Sequence, residues 1–313
     1  MNLENYKLMT HKNCMDGSAT AIAFIAAGGK KENIVFTNPN HEEADEKLEK
    51  ILQDGNNDIL IADCSISYDF AKEIDKGYNN LNIKLLDHHK TALPLAEFKW
   101  CNINKENSDC GSRMLFKYLL NNFAFGSVTY GRLNCYIKLI TLVDDHDRWC
   151  QNYPESKDLA TLHSIIGQNA FIERFRTPRY DDLFTSEERF LIDLEHKKMM
   201  EMIEDKKRAV KDYIVTKTIN GKDYRFGFIG GAAKFTSEIA EALYADPTLN
   251  LDAVVLVSAE AISLRCKKGS DLDVSKIAKE HGGGGHQGAA GFPLTNLLGS
   301  SLLEFVMTRM RTE

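Results

Sequence analysis

The apolar run Ile83-Lys84-Leu85-Leu86 ends abruptly in Asp87-His88-His89, and this constrains the chain more than any other stretch. A short apolar run reads as a buried strand. Ligands of parallel sheets gather outside the carboxyl ends of the strands. One carboxylate and two imidazoles here therefore stand where chemistry usually occurs. Adjacent histidines alone can be a surface coincidence, but two other stretches share the form. Tyr6 to Thr10 is a strand candidate that leads into a polar loop with His11, Cys14 and Asp16. Asp58 to Ala62 is another, and it ends at Asp63. HxxCxD is weak by itself, and a carboxylate after a strand can simply cap the next helix. Chance explains one acidic strand end easily, and three together poorly.

Helix patterns separate these strands. Ala19 to Ala27 is small and apolar, which suits close packing on a sheet. Residues 41–53 carry apolar positions at Ala44, Leu48, Ile51 and Leu52, an amphipathic pattern. Phe70 to Tyr78 reads as a helix, and Ile34 to Thr37 as a further strand. Alternating strands and helices imply a parallel sheet with right-handed crossovers. His11, Asp16, Asp63, Asp87, His88 and His89 would then share one sheet edge.

After Asn102 the character changes. Ser108 to Leu120 reads as a helix whose start, at Gly111 and Ser112, suits an anion or an ordinary cap. Leu133 to Val143 is an apolar helix running into Asp144, Asp145, His146 and Asp147. Three aspartates so close require a cation or an exposed helix end. Thr161 to Phe175 is a further helix. Thr185-Ser186-Glu187-Glu188 is a capping box. It opens a long charged helix to about Lys211 with a narrow apolar stripe, which suits a connector.

A second strand-and-helix set follows, with strands at Tyr224 to Ile229, Ala253 to Val257 and Ala261 to Arg265, and helices at Thr236 to Tyr244 and Asp273 to Glu280. It closes on four consecutive glycines, Gly282 to Gly285, then His286 and Ala289-Ala290-Gly291. Such glycines are entropically costly to order. They suit a loop whose amides approach an anionic ligand, with a flexible linker as the alternative. The expected fold is α/β: a doubly wound parallel sheet over 1–184, a helical connector over 185–221 and a smaller α/β domain over 222–313.

At 313 residues the chain can bury two cores. Its net charge of −6 argues against a general nucleic-acid coat, though a local basic groove remains open. Seven cysteines without a CxxC pair exclude a zinc ribbon and fit reduced thiols in the cytoplasm. There is no signal-peptide pattern and no apolar run of the ~18 residues a membrane span needs. No GxGxxG follows the first strand, which sets aside a dehydrogenase.

Asp87-His88-His89, with Gly283-Gly284-Gly285-His286, Ala289-Ala290-Gly291 and the upstream Ser263-Leu264-Arg265, resembles the DHH phosphoesterases. The likeness is to the subgroup with a glycine-rich C-terminal domain, which includes nanoRNases. The resemblance runs from about residue 8 to residue 292 and implies an active site between two domains. It also implies two divalent ions, usually manganese. By position, His11 and Asp63 would bind one ion. Asp16, Asp63, His88 and a later aspartate would bind the other. Asp147 is the expected aspartate because Asp147-Arg148-Trp149 is similar to the family's D-x-W form, with Asp144 and Asp145 next in line. Asp87 would orient a histidine, and His89 would lie near the substrate phosphate. Arg265, Gly283, Gly284, Gly285 and His286 would bind substrate.

Cys14 departs from the family, many of whose members have aspartate there. A thiolate would shift preference toward zinc or iron; the alternative is that Cys14 does not ligate. The expected activity is metal-dependent hydrolysis of short single-stranded oligonucleotides to mononucleotides. Rival readings are a cyclic or linear dinucleotide phosphodiesterase, a 3′-phosphoadenosine 5′-phosphate phosphatase, and a nucleotide-binding regulator with little turnover. Oligomeric state, a homodimer included, stays open.

Overall fold

The computed structural model describes residues 1–38, 40–77, 81–178, 182–231 and 234–299. They fall into two compact units, Met1–Asp193 and the chain from Leu194 onward.

The first unit is built on strands β1 (Lys7–His11), β2 (Ile34–Thr37), β3 (Asp58–Ala62), β4 (Asn82–Asp87) and β5 (Cys101–Ile103). All neighbours pair in parallel, in the order β2-β1-β3-β4-β5. The helices are α1 (Met15–Ala26), α2 (His41–Gln53), α3 (Tyr68–Gly77), α4 (Gly111–Asn122), α5 (Val128–Asn134), α6 (Ile137–Asp147) and α7 (Pro154–Phe175). Successive strand residues point to opposite faces, and the two faces carry different helices. Leu8, Leu60 and Leu86 pack under α1, α4, α6 and α7. Met9, Ile59, Ile61 and Leu85 pack under α2 and α3, through Ala44, Leu48, Ile51, Ala71 and Ile74. The strands are apolar on both sides because both faces are covered. The order reverses between β1 and β3, the switch point at which such sheets bind ligands.

Several boundaries differ from the sequence expectation. Helix α1 begins at Met15, so Asp16, Gly17 and Ser18 stand in its first turn and not in a loop. Gly17 permits this, since a Cβ there would overlap the carbonyl of His11. Helix α7 starts earlier than Thr161, with Pro154 in its first turn, and breaks at Gly167, where φ is 77°. Strand β5 and helix α5 were not expected. The expected helix end at Tyr78 lies outside the described residues.

The capping box forms: Glu188 N–H donates to Thr185 Oγ1 (3.2 Å) and Thr185 N–H donates to Glu188 Oε2 (2.8 Å). It opens α8 (Ser186–Val210). The second unit holds β6 (Ile214–Ile219), β7 (Lys222–Gly230), α9 (Thr236–Ala245), β8 (Ala253–Val257), β9 (Ala261–Cys266), α10 (Val274–Glu280), β10 (Gly284–Gly285), β11 (Ala289–Pro293) and α11 (Leu294–Leu298). The sheet order is β10-β11-β9-β8-β7-β6, with only β7 and β8 parallel. Strand β6 was also not expected. It pairs with β7 across Asn220-Gly221, both with positive φ, a strong hairpin signal that the sequence carries openly. All seven cysteines are unbridged. Among the described residues no helix is long and apolar enough to cross a membrane.

Beneath the first sheet's carboxyl edge, Ser18 Oγ lies 2.8 Å from the Cys14 carbonyl and 2.9 Å from Nε2 of buried His163. The hydroxyl has one proton to give, so His163 donates from Nε2 when Ser18 donates to Cys14. Burial, and then the nearby His146, hold the His163 pKa down to about 4. An unfolded imidazole titrates near ~6.5. The unfolded chain thus takes up a proton that the folded chain refuses between about pH 6.5 and 4, and stability falls as pH falls through that window. The full loss is on the order of 3 kcal/mol. His163→Gln is therefore expected to show a smaller drop in Tm between pH 7 and pH 5 than the wild type, measured by thermal melts.

Candidate metal centre

The carboxyl ends of β1, β3 and β4 deliver His11, Asp63 and Asp87-His88-His89 to one edge. The start of α1 adds Cys14 and Asp16, and the last turn of α6 adds Asp147. Three donor sets form: His11, Cys14 and Asp63; Asp63, His88 and His89; Asp16, His88 and Asp147. Within each, the donor atoms lie within 4.8 Å of one another. Asp63 belongs to the first and second sets, and His88 to the second and third. Nδ1 of His11 is 3.7 Å from Asp63 Oδ2, and Nε2 of His88 is 3.6 Å from Asp63 Oδ1 and 3.5 Å from Asp147 Oδ2.

Asp63 adopts a left-handed backbone, φ 60°. This is uncommon for a residue with a side chain and costs of order 1–3 kcal/mol. Asn13, beside Cys14, and Asn107, bonded to His88, also have positive φ. Gly111 makes room for the turn, because a Cβ there would stand 2.6 Å from Asp63 Cα. Asp63 does not cap the next helix. Ser67 Oγ accepts from Phe70 N–H in that role (3.2 Å).

The expected choice among three aspartates has a geometric basis. Asp144 accepts from Cys110 N–H (2.8 Å), Arg113 (2.9 Å) and Arg148 (2.9 and 2.7 Å). Asp145 accepts from Asn152 N–H and Ser156 Oγ. Both are buried and committed to structure. Asp147 alone of the three turns into the donor sets. His146 instead packs edge-on against Trp149.

Neighbours orient the histidines. Asp87, fully buried, accepts from His88 N–H (2.8 Å) and holds His89 Nδ1 at 2.7 Å. Burial opposes ionisation of Asp87, but the charge and hydrogen bond of His89 outweigh it and lower its pKa. Burial likewise works against the His89 cation, yet Asp87 carries it up to about 9. Asn107 Oδ1 lies 2.9 Å from His88 Nδ1 and fixes the proton there, which turns Nε2 to Asp63 and Asp147.

The residues fit a divalent cation. Asp16 Oδ2, Asp63 Oδ2 and Asp147 Oδ2 are buried with no hydrogen-bond partner. Burial, and then Asp16, push the Asp63 carboxyl well above its usual range and Asp147 up to about 6. Bare buried carboxylates cost several kcal/mol each. A cation between them removes that cost.

The chain is 30% identical over 308 residues to the oligoribonuclease NrnB of Bacillus subtilis (strain 168), covering 93% of this chain and 73% of that protein. The chain belongs to the DHH phosphoesterase family. No family model matches it. Its fold is similar to that of PggH, a pGpG-specific phosphodiesterase from Vibrio cholerae (14% identity, TM-score 0.51, 97% of this chain and 96% of that one). It is also similar to exonuclease RecJ bound to manganese (12% identity, TM-score 0.51, 97% and 89%).

Sequence reasoning missed several residues that hold this DHH centre together. Gln168, just after the Gly167 break, accepts from Asn13 N–H (3.3 Å) and donates to His11 O (3.4 Å). Ser112 N–H and Cys110 Sγ both donate to Asp16 Oδ1, at 3.0 and 2.9 Å. The helix start at Gly111 and Ser112 thus holds an anion, but that anion is the chain's own Asp16. None of these contacts has a periodicity signal.

In the second unit, Arg265 reaches Thr236 Oγ1 (3.1 Å) and Ser237 Oγ (3.3 Å) at the start of α9. Gly283 and Gly285 have a packing role in the β10–β11 hairpin, because a Cβ at either would overlap the facing strand, whereas Gly284 has open space. His286 N–H donates to Ala289 O (2.7 Å) at the hairpin turn.

Two neighbouring aspartates should respond in opposite directions. Asp144→Asn is expected to destabilise the metal-free protein by about 1–3 kcal/mol, since Arg113 and Arg148 both lose the negative charge of a buried carboxylate. Asp147→Asn is expected to raise its Tm by relieving buried like charge. Denaturant melts of the chelated protein measure both.

Proposed function

We propose that this DHH protein is a metal-dependent phosphodiesterase that shortens oligonucleotides of a few residues from one end, releasing mononucleotides in the cytoplasm. The observation that carries the reading is the linked donor sets at the β1/β3 switch point, joined through Asp63 and His88. The kinship to an oligoribonuclease over 93% of the chain supports the choice of substrate.

Two divalent ions, manganese among them, suit these residues. His11 and Asp63, with Cys14 beside them, would hold one; Asp16, Asp63, His88 and Asp147 would hold the other. When bound, the ions supply Lewis acidity at the phosphate and lower the pKa of the attacking water. The chain's own residues set the geometry. Asp87 keeps a proton on Nδ1 of His89 and orients that ring within the second donor set, where, left unligated, its imidazolium attracts a phosphoryl oxygen. Asn107 keeps His88 in one tautomer. We assign Arg265, Gly283, Gly284, Gly285 and His286 to substrate binding in the second unit.

The test is hydrolysis, with added Mn2+, of end-labelled RNAs from two to about twenty nucleotides, with linear and cyclic diguanylate alongside. Stepwise loss of only the shortest RNAs is expected. Asp63→Asn should abolish turnover, a fall of at least about 1,000-fold, while the far-ultraviolet circular dichroism is retained. Preference for the dinucleotides over all longer RNAs would move the function to dinucleotide turnover. An active Asp63→Asn protein would sink the mechanism.

A further inference from the structure

The first donor set differs in kind from the others. It joins one imidazole, one thiol and one carboxylate, whereas Asp16, His88 and Asp147 offer only nitrogen and oxygen. We infer that Cys14 Sγ is a metal ligand, so that the centre is asymmetric: a thiophilic ion such as Zn2+ or Fe2+ fills the His11–Cys14–Asp63 position, and Mn2+ or Mg2+ fills the other. This rests on the two-ion reading above and specifies it.

Three observations carry the inference. Cys14 is the N-cap of α1, and its sulfur faces His11 and Asp63. Second, Asp63 Oδ2 in the same set is buried without a hydrogen-bond partner, in a residue only 2% exposed. Its 3.7 Å spacing from His11 Nδ1 suits two donors each about 2.0–2.2 Å from one ion. Third, the loop that carries Cys14 is braced. Asn13 stands in a left-handed conformation and Gln168 clamps it from both sides of the turn.

The other thiols nearby are differently committed. Cys110 donates to Asp16 Oδ1 (2.9 Å), and Cys64 lies in the apolar layer under α2 and α3. A sulfur signal from the centre is therefore specific to Cys14. Ligation requires the thiolate, so the thiol proton passes to solvent as the ion binds. Sulfur favours zinc, iron and cobalt over manganese and magnesium, while carboxylate and imidazole donors do not discriminate so strongly.

The test is an anaerobic titration of the full-length, metal-free protein with Co2+ alone, read by absorption. The expected result is a thiolate-to-cobalt charge-transfer band in the near ultraviolet that saturates with the first equivalent. A second equivalent should add only weak visible bands. Cys14→Ser should lose the near-ultraviolet band, and Cys110→Ser should keep it. Cys14→Asp, a second variant in case the first folds poorly, should lower the Zn2+-over-Mn2+ preference of the first equivalent at least about tenfold in competition titrations. Two equivalents bound without the band would overturn the role of Cys14 and leave the two-ion reading standing. Failure to bind either equivalent would overturn both.

Discussion

Buried carboxylates gathered at one sheet edge are the constraint on which the rest of this molecule depends. Asp16, Asp63, Asp87 and Asp147 converge on His11, His88 and His89, and each of those aspartates keeps an oxygen with no hydrogen-bond partner. Such an arrangement opposes folding in the absence of a cation. The fold tolerates it because the surrounding scaffold is apolar on both faces of the sheet and tightly packed. The stability lost at the centre is offset in the layers above and below it.

Asp63 is where the demands meet. Its left-handed backbone turns the carboxylate back over the sheet edge, where two of the donor sets share it. That turn works only because residue 111 has no side chain, and Gly111 in turn begins the helix whose Ser112 amide holds Asp16. Strain in β3's exit, a glycine some fifty positions later and the orientation of a carboxylate on α1 are thus one device. Backbone strain of this kind persists only where neighbours over-determine it.

The supporting residues follow one pattern. Four of the donors are held from behind: Asn107 behind His88, Asp87 behind His89, Gln168 behind the His11 loop, Cys110 and Ser112 behind Asp16. Asp144, three positions before the donor Asp147 on α6, instead anchors Arg113 and Arg148. The tight cluster of aspartates in the sequence is therefore two kinds of residue, three positions apart. One carries structure and the other faces the ions.

Local pattern determined much of this protein. Strands 34–37 and 58–62, helix 41–53 and the capping box at Thr185 were legible from periodicity and capping chemistry alone, because each depends on residues within one or two turns of itself. The hairpin at Asn220-Gly221 carried an equally local signal. The acidic and histidine-bearing strand ends also pointed to one edge, because parallel β-α-β alternation leaves few other arrangements. Tertiary structure alone decided which aspartate of α6 turns inward, that Gly111 lies against Asp63, and that Gln168 reaches back to His11. Those contacts join residues from 31 to 157 positions apart, and their direction depends on helix rotation and side-chain packing that no local pattern encodes.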